Sequence, residues 1–268
     1  MYAYVINLAR SPERRAHMVA ELKKTGMDHE FVTAIDGRDL DAGDPTLVSI
    51  EEMSKRSQFP VNSAASVMSH IRCYERMMAN GRDTALILED DAILPRDIDS
   101  LADSVARQLT GAEVALLSFS SREPLKISRE DAVQIFGDRM LAFPIDAQQP
   151  ASAAAYVITR EACERLVKFL SPVRTNADQF GLFYREGAID RLRCVVPRSV
   201  ETSPKFRSTQ GSYSLGNGLK ARLLWPIVKL ELPVLHQVLA HRRERIQGQW
   251  TRWEIVDMPF IEKPSRLA

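Results

Sequence analysis

Between Thr84 and Ala92 a short apolar run, Ala85-Leu86-Ile87-Leu88, stops in three consecutive acids, Glu89-Asp90-Asp91. The run lacks polar alternation, which predicts a strand buried on both faces, as in a parallel sheet covered by helices. Three carboxylates at its end repel one another unless a cation lies among them. In open α/β sheets the ligand crevice lies beyond the carboxyl ends of the strands. Hard divalent cations that carry phosphates bind carboxylate oxygen and suit such an edge. Taken alone the triplet is equally a solvated acidic turn, so its surroundings must decide.

The remaining pattern alternates strands with helices. Tyr2–Leu8 reads as a buried strand. Ser11 is a candidate N-cap, with Pro12 at the first position of a helix that runs to about Lys24 and ends at Gly26. Strands are expected at His29–Thr33, Val114–Leu117, Met140–Phe143, Ala154–Ile158 and Leu192–Val196, the last of the series. Helices are expected over Ser63–Asn80, about Ile98–Leu109 and after Thr159, with a short one capped by Asn176. Residues 36–60, rich in Gly, Asp and Pro, read as a loop. This order predicts one α/β domain over residues 1–210 built on a mostly parallel sheet.

Residues 211–268 differ. Leu219–Arg245 is helix-like but interrupted by Pro226 and Pro233. Between Lys220 and Arg252 seven Lys/Arg face two Glu, interleaved with Trp225 and Trp250. Such a basic helical extension suits either packing on the domain with a solvated face or peripheral contact with an anionic membrane through residues 219–252. No nucleic-acid recognition module accompanies the charge. The formal net charge of +1 argues only against a strongly polyanionic partner. Cys73, Cys163 and Cys194 are odd in number and set in apolar surroundings, as expected of reduced buried thiols. With no signal-peptide pattern and no apolar stretch of about 20 residues, the expectation is a cytoplasmic chain.

Four other segments bear on the acidic strand. In Ile6-Asn7-Leu8-Ala9-Arg10-Ser11-Pro12-Glu13-Arg14-Arg15 a strand turns into a capped helix with three arginines at its N-terminus. That arrangement suits a diphosphate, or is an ordinary basic helix face. Ala34-Ile35-Asp36-Gly37 is a strand end with a turn glycine. Ser69-His70 precedes the acidic strand, and His70 borders an apolar stripe, where a packing role competes with a ligand role. Ser152-Ala153-Ala154-Ala155-Tyr156-Val157-Ile158-Thr159 is followed by Asn176-Ala177-Asp178-Gln179. Asp178 at a helix start is also favoured by the helix dipole alone.

In order and spacing these five segments resemble glycosyltransferase family 25, over about residues 1–210. The resemblance implies a GT-A type fold: a single Rossmann-like, mostly parallel sheet flanked by helices, with the donor at its carboxyl edge. It implies transfer of a hexose, galactose foremost, from a UDP-sugar to a saccharide acceptor, inverting and dependent on a divalent metal (Mn2+ or Mg2+). The setting implied is lipopolysaccharide or lipooligosaccharide assembly, on a lipid-linked glycan at the inner face of the cytoplasmic membrane. Asp91, with Glu89, is the expected metal ligand. Asn7, Arg10, Arg14, Asp36, His70, Glu89 and Asp90 are expected on the nucleotide side. Asp178 is the expected catalytic base, with His70 as its alternative. Two departures stand out: Asn62-Ser63-Ala64-Ala65 replaces the family's Gly-Glu-x-Gly, and Ser152-Ala153-Ala154-Ala155 replaces its Gly-Thr-x-Gly. Two competing readings stay open. One is an inactive, glycosyltransferase-like scaffold. The other is a nucleotidyltransferase, against which stands the lack of a Gly-rich phosphate loop with a lysine.

Overall fold

The acidic run forms β3 (Thr84–Glu89), at the middle of an eight-stranded sheet in a computed structural model that describes residues 1–40, 61–206 and 251–260. Beside β3 lie β1 (Tyr2–Asn7) and then β2 (Asp28–Thr33), all parallel. On its other side come β9 (Ala155–Thr159), β5 (Glu113–Leu116), β10 (Arg191–Val196), β8 (Met140–Ala142) and β7 (Val133–Gln134). β9 runs antiparallel to both its neighbours, and β8 is likewise reversed, so the sheet is mostly but not wholly parallel. Reversal of β9 has a functional consequence. Its first residues, rather than its last, meet the carboxyl ends of β3 and β5, with Glu89 N donating to Ala154 O at 2.9 Å.

Both faces of the sheet are covered, which is why its strands lack polar alternation. Side chains on one face (Ala3, Val5, Leu86, Leu88, Val157) pack against α1 (Pro12–Thr25) and α3 (Ile98–Ala106). The alternate side chains (Tyr4, Ile6, Ile87, Tyr156, Ile158) pack against α2 (Val61–Ala79), α4 (Arg160–Leu170) and α5 (Phe180–Arg185). The three cysteines are free and buried, as expected.

Several local expectations are corrected. Ser11 occupies the cap position of α1 without a side-chain capping bond. Its backbone serves instead, Ser11 O accepting from Arg15 N at 3.1 Å. Thr159 does cap α4, accepting from Ala162 N. The short helix begins at Phe180 rather than after Asn176, so Asp178 sits before it in an irregular turn. Leu192–Val196 is not the last strand, since β11 (Glu201–Thr202) and β12 (Trp253–Val256) follow. β11 pairs with β4 (Ala92–Ile93) just past the acids. β12 pairs in parallel with β6 (Leu125–Ser128), so this part of the C-terminal segment is strand where helix was expected. The expected helix at residues 219–245 and the loop at 41–60 lie outside the described residues.

One glycine fixes the approach of α5. A methyl on Gly181 would fall 2.2 Å from Ala147 O and 2.8 Å from Gln148 Cα, both backbone atoms. Gly181→Ala should therefore cost about 1–3 kcal/mol by overpacking, read as a lowered urea midpoint. An unchanged midpoint would mean that the 147–148 segment yields freely.

Candidate active site

The side-chain alternation of β3 divides its acids between the two faces. Glu89 continues the face of Ala85 and Ile87, towards α2. There its Oε1 lies 3.6 Å from Nε2 of His70. The chain then turns, and Asp90 and Asp91 meet α1. Arg14 Nε lies 2.8 Å from Asp90 Oδ1, an electrostatic contact rather than a directed hydrogen bond, and Arg14 Nη2 donates to Asp91 Oδ2. Asn7, at the end of β1, donates through Nδ2 to Asp90 Oδ2 at 2.7 Å. Asn7, Arg14 and Asp90 are all buried. The turn itself is held from below, with Asp91 O accepting from Ser203 N at 2.7 Å.

A second group forms the rim. Arg10 Nε donates to Asp36 Oδ2 at 2.5 Å, and Arg38 Nη2 donates to the same oxygen at 2.8 Å. Arg38 first, and then Arg10, holds the Asp36 carboxyl well below the usual carboxylate range. The turn carrying Asp36 is tied to α2, where Ser69 Oγ accepts from Ile35 N at 2.9 Å. This pairing follows from the Ser-His dipeptide on α2: the serine anchors the Asp36 turn while the histidine faces Glu89.

Asp178 completes the arrangement on the α2 side. It is half-buried, and Gln179 Nε2 donates to its Oδ1 at 3.4 Å. Burial pushes its carboxyl up, and the negative charge of Glu89 adds to that. Burial, and then the Glu89 charge, likewise pushes Asp91 up to about 6 despite its Arg14 partner. Burial raises Asp90 as well. Acids raised in this way lack enough positive charge around them, which is the state a cationic or hydrogen-donating ligand relieves.

Four buried side-chain atoms have no hydrogen-bond partner among the described residues: Arg14 Nε, Asp91 Oδ1, His70 Nε2 and Asn176 Oδ1. The donor chemistry at Asp91 and Glu89, two carboxylates with one buried oxygen unused, fits a hard divalent ion that takes its other oxygens from phosphate and water. Among the described residues no group of three or more His, Cys, Asp or Glu could hold a metal by itself. A resident, fully protein-ligated ion therefore does not fit, whereas one shared with a phosphate ligand does.

The sequence-expected residues thus fall into three sets: Asn7, Arg14, Asp90 and Asp91; His70, Glu89 and Asp178; and Arg10 with Asp36. Arg14 is spent on Asp90 and Asp91 rather than presented to solvent. Other residues were not anticipated. The Phe206 ring lies 5.2 Å from the Arg14 guanidinium and 5.3 Å from the His17 ring, closing the site from beneath. Arg38 and Tyr156 were also missed. Arg38 had a signal in its position two residues after Asp36, whereas Phe206 stands in a segment, Phe206-Arg207-Ser208, that fits the family only loosely and suggests no role at the site.

The family model for glycosyltransferase family 25 (LPS biosynthesis protein) matches residues 1–181. The chain belongs to glycosyltransferase family 25. Among relatives of this family-25 chain, a glycosyltransferase 25 family member from Anopheles gambiae is 28% identical over 178 residues. That match covers 62% of this chain and 28% of the relative. The lacto-N-neotetraose biosynthesis glycosyltransferase LgtE of Neisseria meningitidis serogroup B is 26% identical over 166 residues, covering 60% of this chain and 58% of its own length. An inactive glycosyltransferase 25 family member 3 from Mus musculus is 29% identical over 94 residues, covering 33% of this chain and 16% of its own. In none of these does the match reach two thirds of the relative. The family match covers every site segment named above up to α5, including all three sets of residues.

Proposed function

We propose that this chain transfers a hexose, galactose foremost, from its UDP form to a hydroxyl of a saccharide acceptor. The carrying observation is the acidic end of β3, where among the described residues Asp91 keeps a buried oxygen without a hydrogen-bond partner and Asp178 and Glu89 face the same edge. Magnesium or manganese would be held by Asp91 and Glu89, and when bound it supplies charge stabilisation for the departing diphosphate. The Arg10–Asp36 pair stands at the end of β2, where the nucleotide would lie across the strand ends. Arg14 and Asn7 orient Asp90 and Asp91 and do not touch the donor. Asp178 takes the proton of the acceptor hydroxyl as that oxygen bonds the anomeric carbon and the bond to diphosphate breaks, inverting the centre. Its raised pKa suits a base that must also release the proton afterwards.

The relation to LgtE supports an acceptor in surface-glycan assembly, and a lipid-linked glycan at the inner face of the cytoplasmic membrane is part of this proposal. The basic segment 219–252 that would meet the membrane lies almost wholly outside the described residues. Among those described, no helix is long and apolar enough to cross a membrane.

A panel of nucleotide sugars, each with and without manganese, tests the reading through release of nucleoside diphosphate. UDP-galactose should give the fastest metal-dependent release. Asp178→Asn should lower turnover about 10²–10⁴-fold with UDP affinity kept, and an undiminished rate would remove Asp178 as the base. One observation favours a non-catalytic scaffold instead: the Arg14 guanidinium already neutralises part of the Asp90–Asp91 pair. UDP binding indifferent to manganese, with no release from any donor, would decide for that reading.

A further inference from the structure

Behind Glu89 a chain of three polar groups runs inward from the site. His70 Nδ1 lies 2.8 Å from the Tyr156 hydroxyl, and that hydroxyl lies 2.8 Å from the Tyr74 hydroxyl. All three residues are at most 1% exposed. Burial pushes both phenols far up, so each oxygen keeps its hydrogen. The directions of these bonds then follow by elimination. Among the described residues the Tyr74 hydroxyl has one partner, the Tyr156 oxygen, and a buried O–H left without an acceptor is costly. Tyr74 therefore donates to Tyr156. Tyr156 has one remaining acceptor for its own hydrogen, His70 Nδ1. A ring nitrogen that accepts carries no hydrogen, so His70 holds its hydrogen on Nε2.

That Nε2 is buried, has no hydrogen bond among the described residues, and faces Glu89 Oε1 at 3.6 Å. It is too enclosed to meet a nucleotide or an acceptor hydroxyl directly. Because Nε2 already carries the hydrogen, the side of the ring that faces Glu89 presents a donor and no acceptor.

We propose that His70 is a positioning residue: Tyr74 and Tyr156 lock its tautomer, and its Nε2–H closes onto Glu89 when the site is filled, fixing that carboxylate for the ligand. The geometry gives His70 this task in place of base or nucleotide ligand. The consequence for turnover rests on the transferase reading, whereas the tautomer does not.

The experiment has two arms, both on the full chain. In the first, nitrogen-15 NMR of histidine-labelled protein should show hydrogen on Nε2 and none on Nδ1. Tyr156→Phe should mix the two forms, because Nδ1 loses its donor. Hydrogen on Nδ1 in the unaltered chain would overturn the proposal. The second arm measures manganese-dependent UDP affinity by calorimetry, and UDP-galactose turnover, for two variants checked for folding by thermal melt. His70→Phe, which has no donor, should lose roughly tenfold or more. His70→Gln, which keeps an N–H near the place of Nε2 but no basic nitrogen, should recover most of that loss. In a Glu89→Ala background the His70→Phe loss should disappear, because His70 acts through Glu89. An equal loss in that background, or His70→Gln as impaired as His70→Phe, would overturn the positioning role. If no donor turns over at all, the transferase reading fails while the tautomer arm and the affinity cycle still decide this one.

Discussion

Asp91→Asn should abolish manganese-dependent release of UDP from UDP-galactose, by about 10²-fold or more, in a chain that remains folded. The substitution keeps the volume of the side chain and one oxygen but removes the charge that a shared cation needs. It also has a readout that requires no substrate. The Asp91 carboxyl is pushed up to about 6 in the fold, against about 3.9 for an unfolded aspartate. Between these values the folded chain holds more proton than the unfolded one, so without ligand this group makes stability fall as pH rises from about 4 to about 6. An asparagine contributes no such slope. The two proteins should melt alike near pH 4, and by pH 7 the variant should be the more stable by up to about 3 kcal/mol. A pH-independent difference in denaturation free energy would mean that Arg14 alone neutralises Asp91, and the case for a cation there would fall with it.

The largest effect on folding is expected far from this edge, at the pairing of β5 with β10. Glu113 is fully buried, and its Oε1 accepts from Arg193 Nε at 2.5 Å while Oε2 accepts from Thr110 N at 2.9 Å. Arg193 is also buried and donates through Nη2 to Gln108 O at 2.5 Å. Arg193→Met leaves Glu113 charged, enclosed and without its counter-ion, a change that typically costs about 3–5 kcal/mol. Combining it with Glu113→Gln removes the stranded charge and should restore a large part of the loss. Urea denaturation of the two single variants and the double variant measures this. Simple additivity would show that the pair is not coupled.

Much of the site could be read from the sequence because it rests on local chemistry. An apolar run ending in acids, a Pro-initiated helix after Asn7, and a serine beside a histidine each state their element and its polarity. Direction is another matter. Ala155–Thr159 reads as a buried strand whichever way it runs, and only its pairing with β3 and β5 shows that it is reversed. Partners distant in sequence are equally silent. The arginines at the start of α1 are legible as a cluster, but that Arg14 turns inward to Asp90 and Asp91, 76 and 77 positions away, is not. Tyr156 reads as an ordinary core aromatic, and its bond to His70 spans 86 positions. The strand within the C-terminal segment is hidden for a related reason. Its basic charge and prolines dominate the composition, and they obscure four residues, Trp253–Val256, whose place is set by pairing with β6.

That late strand alters how the molecule can be divided. Besides the ladder with β6, Arg129 Nε donates to Asp257 Oδ1 at 2.5 Å, Ser128 Oγ donates to Met258 O at 2.8 Å, and Phe260 stacks on Phe143 with ring centroids 4.4 Å apart. A shortened protein ending near residue 210 would strip β6 of these contacts and lay bare a row of backbone donors and acceptors beside an uncovered aromatic ring. Such an edge recruits strands from other chains. Residues 253–260 therefore belong to the folded unit, and any trimmed version needs a replacement for their cover of β6.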